Sequence, residues 1–157
     1  MKKLNIFINN LTKALALTGS TIIIFILILS CLNIFGRKFN LPIQGTFEII
    51  ELSMAVSIFM FLPFCQRYNH NIKIEFFIKK KNKELKNFLY KFSLFIYFLI
   101  SLFITWRLVV GGLDFFNYND ETMMLGIPKY IAYLPMVFSS FILTISCITS
   151  FFENNKW

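Results

Sequence analysis

Apolar residues along the chain come in long blocks separated by short polar stretches, and within each block they lie on every side of a helix rather than on one stripe. A helix that is apolar all round, over a length near twenty residues, fits a bilayer and not an aqueous surface. The blocks predict transmembrane helices over about 15–35, 46–64, 88–110 and 128–152. The fold expected is all-α: one membrane domain over residues 1–157, with four transmembrane helices plus amphipathic interfacial segments. The breaks between blocks carry turn chemistry. Pro42 and Gly45 punctuate the first, Gly111-Gly112 is expected to end the third helix, and Pro128 opens the fourth at a first-turn position that tolerates it. Pro63 is expected to kink or end the second helix, and Pro135 to bend the fourth. Thr46 is a candidate cap for the second helix, without the acidic residue three positions on that would complete a capping box.

Ahead of the first block, Leu4, Phe7, Ile8, Leu11 and Leu15 share a face flanked by Lys2, Lys3 and Lys13. That pattern predicts a short amphipathic helix lying on the membrane surface. The block that follows is too long for a signal-peptide core and has no small-residue cleavage site, so it is taken as a span.

Composition agrees with this picture. The chain is 57% hydrophobic with 21 phenylalanines, and its mean hydropathy is +0.65. The formal charge of +8 sits outside the apolar blocks, and no basic soluble domain with interleaved aromatics is present, which excludes a nucleic-acid partner. Between Arg67 and Lys91 eight basic residues face two acidic ones. Such a segment reads as a basic cytoplasmic loop over 67–87, resting on anionic lipids. The 113–127 loop holds Asp114, Asp120 and Glu121 with no basic residue. The positive-inside bias then places both termini and the 67–87 loop in the cytoplasm, and the 37–45 and 113–127 loops on the other side.

The second helix carries the chemistry. Glu48 and Glu51 lie three residues apart, hence on one helical side, in an otherwise apolar span. An ionisable group there is a site hypothesis by default. One reading is a proton or cation site. The other, preferred, is structural: acids in the first two turns favour the helix dipole, and Arg37 at the end of the preceding helix is expected to pair with Glu48 or Glu51, or with a partner. Gln66 marks the far end of the same helix. His70, the only histidine, has no second ligand nearby, and the three cysteines, Cys31, Cys65 and Cys147, form no CxxC. Trp106-Arg107 reads as an interfacial anchor near the end of the third helix. No metalloprotease, P-loop, dinucleotide or nucleophile-elbow motif occurs. No catalytic, metal or cofactor site is therefore expected, and the chain is not expected to be an enzyme.

Several of these residues together resemble the small membrane subunit, the DctQ family, of tripartite ATP-independent periplasmic (TRAP) transporters. Asn33-Ile34-Phe35-Gly36-Arg37-Lys38-Phe39-Asn40 resembles that family's N-x-F-x-R-Y-x-F-N turn. Pro42 to Glu48, then Glu51-Leu52, resembles its P-x-x-G-[ST]-x-E-x-x-E-L helix start. Gln66-Arg67 with Ile72-Lys73-Ile74-Glu75, and Thr122 with Ile127-Pro128-Lys129-Tyr130, resemble later signatures in the same order. Lys38 replaces a common aromatic, and His70 falls one position before the family's histidine. The resemblance implies an accessory subunit that packs against a large permease, which holds the substrate and sodium sites. A periplasmic binding protein would deliver an organic acid, a dicarboxylate or a sialate. Arg37, Glu48, Glu51 and Gln66 would then serve the subunit interface or an internal ion pair. Asp120, Glu121 and Thr122 on the outer loop would contact the binding protein. Two other classes compete: an autonomous proton-coupled exporter acting as a homodimer with Glu51 as its proton site, and a redox enzyme using Cys31 and Cys65.

Overall fold

The computed structural model describes residues 2–41, 43–68 and 83–152. Four helices account for nearly all of it: α1 (Lys2–Lys38), α2 (Thr46–Arg67), α3 (Lys83–Asn117) and α4 (Tyr130–Phe152). All four are long and apolar enough to cross a membrane. Among the described residues no β-strand forms; Glu121 and Pro128 make an isolated bridge. The interfacial segment expected around His70 and the lysine run lies outside the described residues, apart from Arg67, Tyr68 and the helical residues from Lys83 on.

The helices lie side by side in the order α1, α2, α4, α3. The strongest contacts are α1 with α2, α2 with α4, and α4 with α3, while α1 touches α4 lightly. α1 and α2 are antiparallel, joined by a turn in which Leu41 N–H donates to Gly36 O at 2.8 Å. Asn33 Oδ1 accepts from Ile43 N–H at 3.1 Å across the same turn. α2 and α4 run the same way: Gly45 meets Leu125 at their starts, and Ser139 Oγ donates to Phe59 O at 2.6 Å farther down. Val56, Ala132 and Met136 form the buried apolar centre between them, with Leu52, Phe59, Leu108 and Tyr133 packed against it.

Two helices exceed their expected lengths. Residues expected as a separate surface helix form instead the first turns of α1, a single 37-residue helix. No glycine or proline interrupts the junction at Leu15, and the face carrying Ile8, Thr12 and Leu15 continues as a buried stripe to Ile26. At roughly 1.5 Å per residue this helix is longer than a hydrocarbon core of about 30 Å. Asn9 accepts from Arg67 Nε at the far end of α2, so the residues before it project beyond that end.

α3, in turn, passes straight through Gly111-Gly112 to Asn117. These glycines do not end the helix; they bring it close to α4. A Cβ on Gly112 would stand 3.2 Å from Tyr133 Cβ, and one on Gly111 3.4 Å from the Tyr133 ring. Small residues at helix crossings are how membrane helices gain contact where hydrophobicity alone does not drive association. Arg107 consequently lies ten residues inside α3 rather than at its end. Pro63 likewise does not end α2, which continues to Arg67. The N-cap of α2 is Gly45, not Thr46; the buried Thr46 hydroxyl donates back to Ile43 O at 2.8 Å.

Beside the apolar centre many buried side chains are small and hydroxyl-bearing, while much of the exposed surface is large and apolar. Ser57, Ser139 and Ser146 are fully buried and Ser101, Ser140 and Cys147 nearly so. Most buried hydroxyls donate to their own helix, as Thr105 does to Ser101 O at 2.7 Å. Thr105 and Thr144 also meet across the α3–α4 seam at 3.3 Å. Ser146 Oγ has no hydrogen-bond partner among the described residues. Ser139→Ala is expected to lower stability by about 0.5–1 kcal/mol, the usual value of an interhelical hydrogen bond in a membrane bundle. Thermal unfolding in detergent checks this; an unchanged midpoint would show that the Ser139–Phe59 contact contributes nothing.

Candidate partner-binding site at the loop end of the bundle

The end of the bundle that carries the α1–α2 turn also carries the 118–129 loop, and Glu48 joins them. Its carboxylate accepts two backbone hydrogen bonds from that loop: Met124 N–H to Oε1 at 2.7 Å and Leu125 N–H to Oε2 at 3.0 Å. Bonds from N–H groups to a carboxylate are charge-assisted and stronger than neutral ones. The geometry arises from the sequence on both sides. Gly45, with φ +74°, turns the chain into α2, so that the first turn places Glu48 toward the loop. The loop presents its amides because Thr122 folds it. Thr122 Oγ1 accepts from Ile127 N–H at 3.0 Å. Thr122 N–H donates to Ile127 O at 3.0 Å, and Gly126 N–H to Thr122 O at 3.1 Å. The Leu125 side chain then covers Gly45.

Asn33, Gly45, Glu48, Thr122 and Leu125 thus form one clasp from three separate stretches of chain. Around it the surface is apolar and exposed, with Phe39, Leu41, Phe47, Met123 and Met124 projecting outward. Lys129 N–H donates to Asp120 O at 3.0 Å and closes the loop where α4 begins.

The residues singled out by sequence are brought together only in part. Arg37 is exposed in the last turn of α1, and among the described residues no ion pair joins it to Glu48 or Glu51. The acceptor geometry of Glu48 is used instead by loop amides more than seventy positions away. Glu51 does not share that environment: it is exposed, and the bonds from the loop amides go to Glu48. Gln66 is buried at 2% exposure near the opposite end of α2, remote from the clasp. Asp120 and Glu121 are exposed, while Thr122 is buried, so its side chain organises the loop rather than its surface. Cys31 is exposed, Cys65 half-buried and Cys147 buried, all as free thiols. Among the described residues no cluster of histidine, cysteine and acidic side chains is arranged for a metal ion.

Sequence reasoning missed two things. The amides of Met124 and Leu125 hold Glu48 as backbone groups, and no side-chain motif announces them. The hydroxyl seam between α3 and α4 did leave a signal: Ser101 with Thr105 and Ser140 with Thr144 repeat at a helical spacing of four.

No curated protein and no solved structure matches the chain. A family model described as "Tripartite ATP-independent periplasmic transporters, DctQ component" matches residues 26–156, a span that contains the whole clasp.

Proposed function

The chain belongs to the DctQ component family of the tripartite ATP-independent periplasmic transporters, and from that membership we propose that it is the accessory scaffold subunit of a sodium-gradient-driven uptake system for an organic acid. It is a small transporter component with four helices able to span the membrane. The family is one of transporter components and not an enzyme class. In the proposed assembly a large permease subunit carries the substrate and sodium sites. A periplasmic binding protein delivers a dicarboxylate- or sialate-like substrate. Both termini face the cytoplasm, and the clasp faces the periplasm. The exposed Asp120 and Glu121 and the apolar rim around them offer the binding protein a surface, with Arg37 nearby on the same end. The basic 67–87 loop rests on anionic lipids.

The observation that carries this reading is how the acids of α2 are used. Glu48 is committed to backbone amides, and Glu51 faces outward, so neither lines a polar path through this chain. The groove between α1, α2 and α4, about 550 Å³, is lined mainly by apolar side chains such as Ile22, Phe25, Leu52, Val56 and Ile131. Such a chain is suited to hold a partner in place and not to conduct an ion by itself. The exporter reading requires Glu51 to face a translocation path shared with a second copy, and the family membership does not favour it.

Co-expression with the cognate large permease tests the proposal. The chain is expected to co-purify with that permease, and proteoliposomes holding this chain alone are expected to show no sodium-dependent uptake. Uptake by the chain alone, with no permease or binding protein, would overturn the scaffold assignment.

A further inference from the structure

We infer that α2 carries a docking stripe, Phe47–Glu51–Met54–Ile58, that receives a transmembrane helix of the large permease bearing a Lys or Arg at the depth of Glu51. The inference rests on the subunit assignment above and adds to it the face and the chemistry of contact.

The four residues are spaced by four, three and four positions, so they form one side of the helix. All are exposed: Phe47 by 80%, Met54 by 53%, Ile58 by 55%, and Glu51 with them. The other sides of α2 are occupied. Leu52, Val56 and Phe59 pack toward α4, and Met60 and Phe61 meet Gly19 of α1. The stripe is therefore the side of α2 that this chain leaves bare.

Glu51 gives this side an acid inside the span, which the bare side of α4 lacks. Exposed residues of α4 such as Leu134, Phe138 and Ile145 are apolar and match lipid. α3 exposes Arg107 ten residues before its end and Asp114 three residues before it, but the first has a long side chain that can carry the guanidinium toward the headgroups, and the second lies in the last turn beside the loop. A glutamate has a two-carbon stem and little such reach. Glu51 lies roughly 7 Å along α2 from its first residue, with Phe47 one turn above and Met54 and Ile58 below. Among the described residues it has no ion-pair partner. Its position is not explained by the helix start, because Glu48 already supplies the acid of the first turn. A carboxylate held against hydrocarbon is costly unless a cation meets it, and charge complementarity points to a basic side chain on the helix that covers the stripe.

The test uses the chain co-expressed with its cognate permease, the tag on the permease. Benzoylphenylalanine is placed at Phe47 or Ile58 on the stripe, or at Leu99 on α3 or Phe138 on α4. Irradiation is expected to link the permease to the two α2 positions and not to the other two. Glu51→Gln is expected to reduce co-purified chain by about tenfold while leaving the thermal unfolding of the isolated chain unchanged. Co-purification with crosslinks only from Leu99 or Phe138 would overturn the stripe and leave the subunit assignment intact. Crosslinks from Phe47 and Ile58 to lipid alone, or to a second copy of this chain, would overturn it as well. So would undiminished co-purification of Glu51→Gln. Failure of the unsubstituted chain to co-purify at all would instead remove the subunit assignment, and the stripe with it.

Discussion

Replacing Glu48 with alanine is expected to free the 118–129 loop from α2 while leaving the four-helix arrangement in place. Two loop amides, of Met124 and Leu125, share this one carboxylate as acceptor, at 2.7 and 3.0 Å. Their loss removes the polar link between the start of α2 and the loop. The helices themselves are held elsewhere, by the Val56–Ala132–Met136 centre and the hydroxyl seam. The change should therefore read out locally. Hydrogen exchange at Met124 and Leu125 is expected to accelerate by about tenfold or more, as local opening ceases to be opposed by two charge-assisted bonds. Glu48→Gln should fall between the two, because a carboxamide offers one acceptor oxygen and turns an N–H₂ group toward the second amide. Glu51→Ala should leave the loop untouched. Unchanged exchange in Glu48→Ala would mean that the loop is held by Thr122 and Leu125 and that Glu48 does not clasp it. Since the loop carries Asp120 and Glu121, uptake by the assembled transporter at limiting binding protein is expected to fall in parallel.

Gly45→Ala should be among the most destabilising small substitutions in the chain, and the reason is separable into two parts. Gly45 has φ +74° and Gly126 φ +62°, a region that costs an L-residue about 1–2 kcal/mol. At Gly126 an added Cβ would meet only Glu121 Oε2 at 3.5 Å, an ordinary contact. At Gly45 it would press into the Leu125 side chain, 2.7 and 2.8 Å from its two Cδ atoms and against Cγ. Overpacking of that kind adds about 1–3 kcal/mol. Gly126→Ala is thus expected to lower the unfolding midpoint modestly and Gly45→Ala much more. Leu125→Ala in the Gly45→Ala background should recover the difference. Thermal unfolding in detergent checks the series; equal effects of the two glycine substitutions would show that Leu125 does not seat on Gly45.

The loop end was legible in pieces. Gly45 and Glu48 stand out by residue type and position, and Asn33 and Thr122 fall in the stretches that resemble the family's signatures, but the connection among the four does not show in the sequence. Arg37 lies near Glu48 in sequence and carries the complementary charge, so pairing was the natural expectation. The backbone amides that take its place are invisible in a residue pattern, since every residue but proline has one. The spacing of Glu48 and Glu51 was similarly ambiguous. Three positions put two side chains on adjacent sides of a helix, about 60° apart. That angle is enough for one to reach the loop and the other to face outward. Gly111-Gly112 misled for a related reason: in water a glycine pair weakens a helix, whereas between membrane helices it also admits a neighbour, here Tyr133.

By itself the sequence determined that the chain forms four apolar spans, roughly where they lie, and which stretches bear charge. The physical ground is that a bilayer demands long apolar runs with internally paired backbones, and such runs are local properties. Only the tertiary structure decided the lateral order α1, α2, α4, α3, the sides that are buried, and the partners of Glu48. In lipid, a side facing a neighbouring helix and a side facing hydrocarbon are equally apolar, so periodicity does not tell them apart. The choice falls to small-residue fit and to hydrogen bonds between residues far apart in the chain. Glu48 reaching the amides of Met124 and Leu125 is the clearest instance.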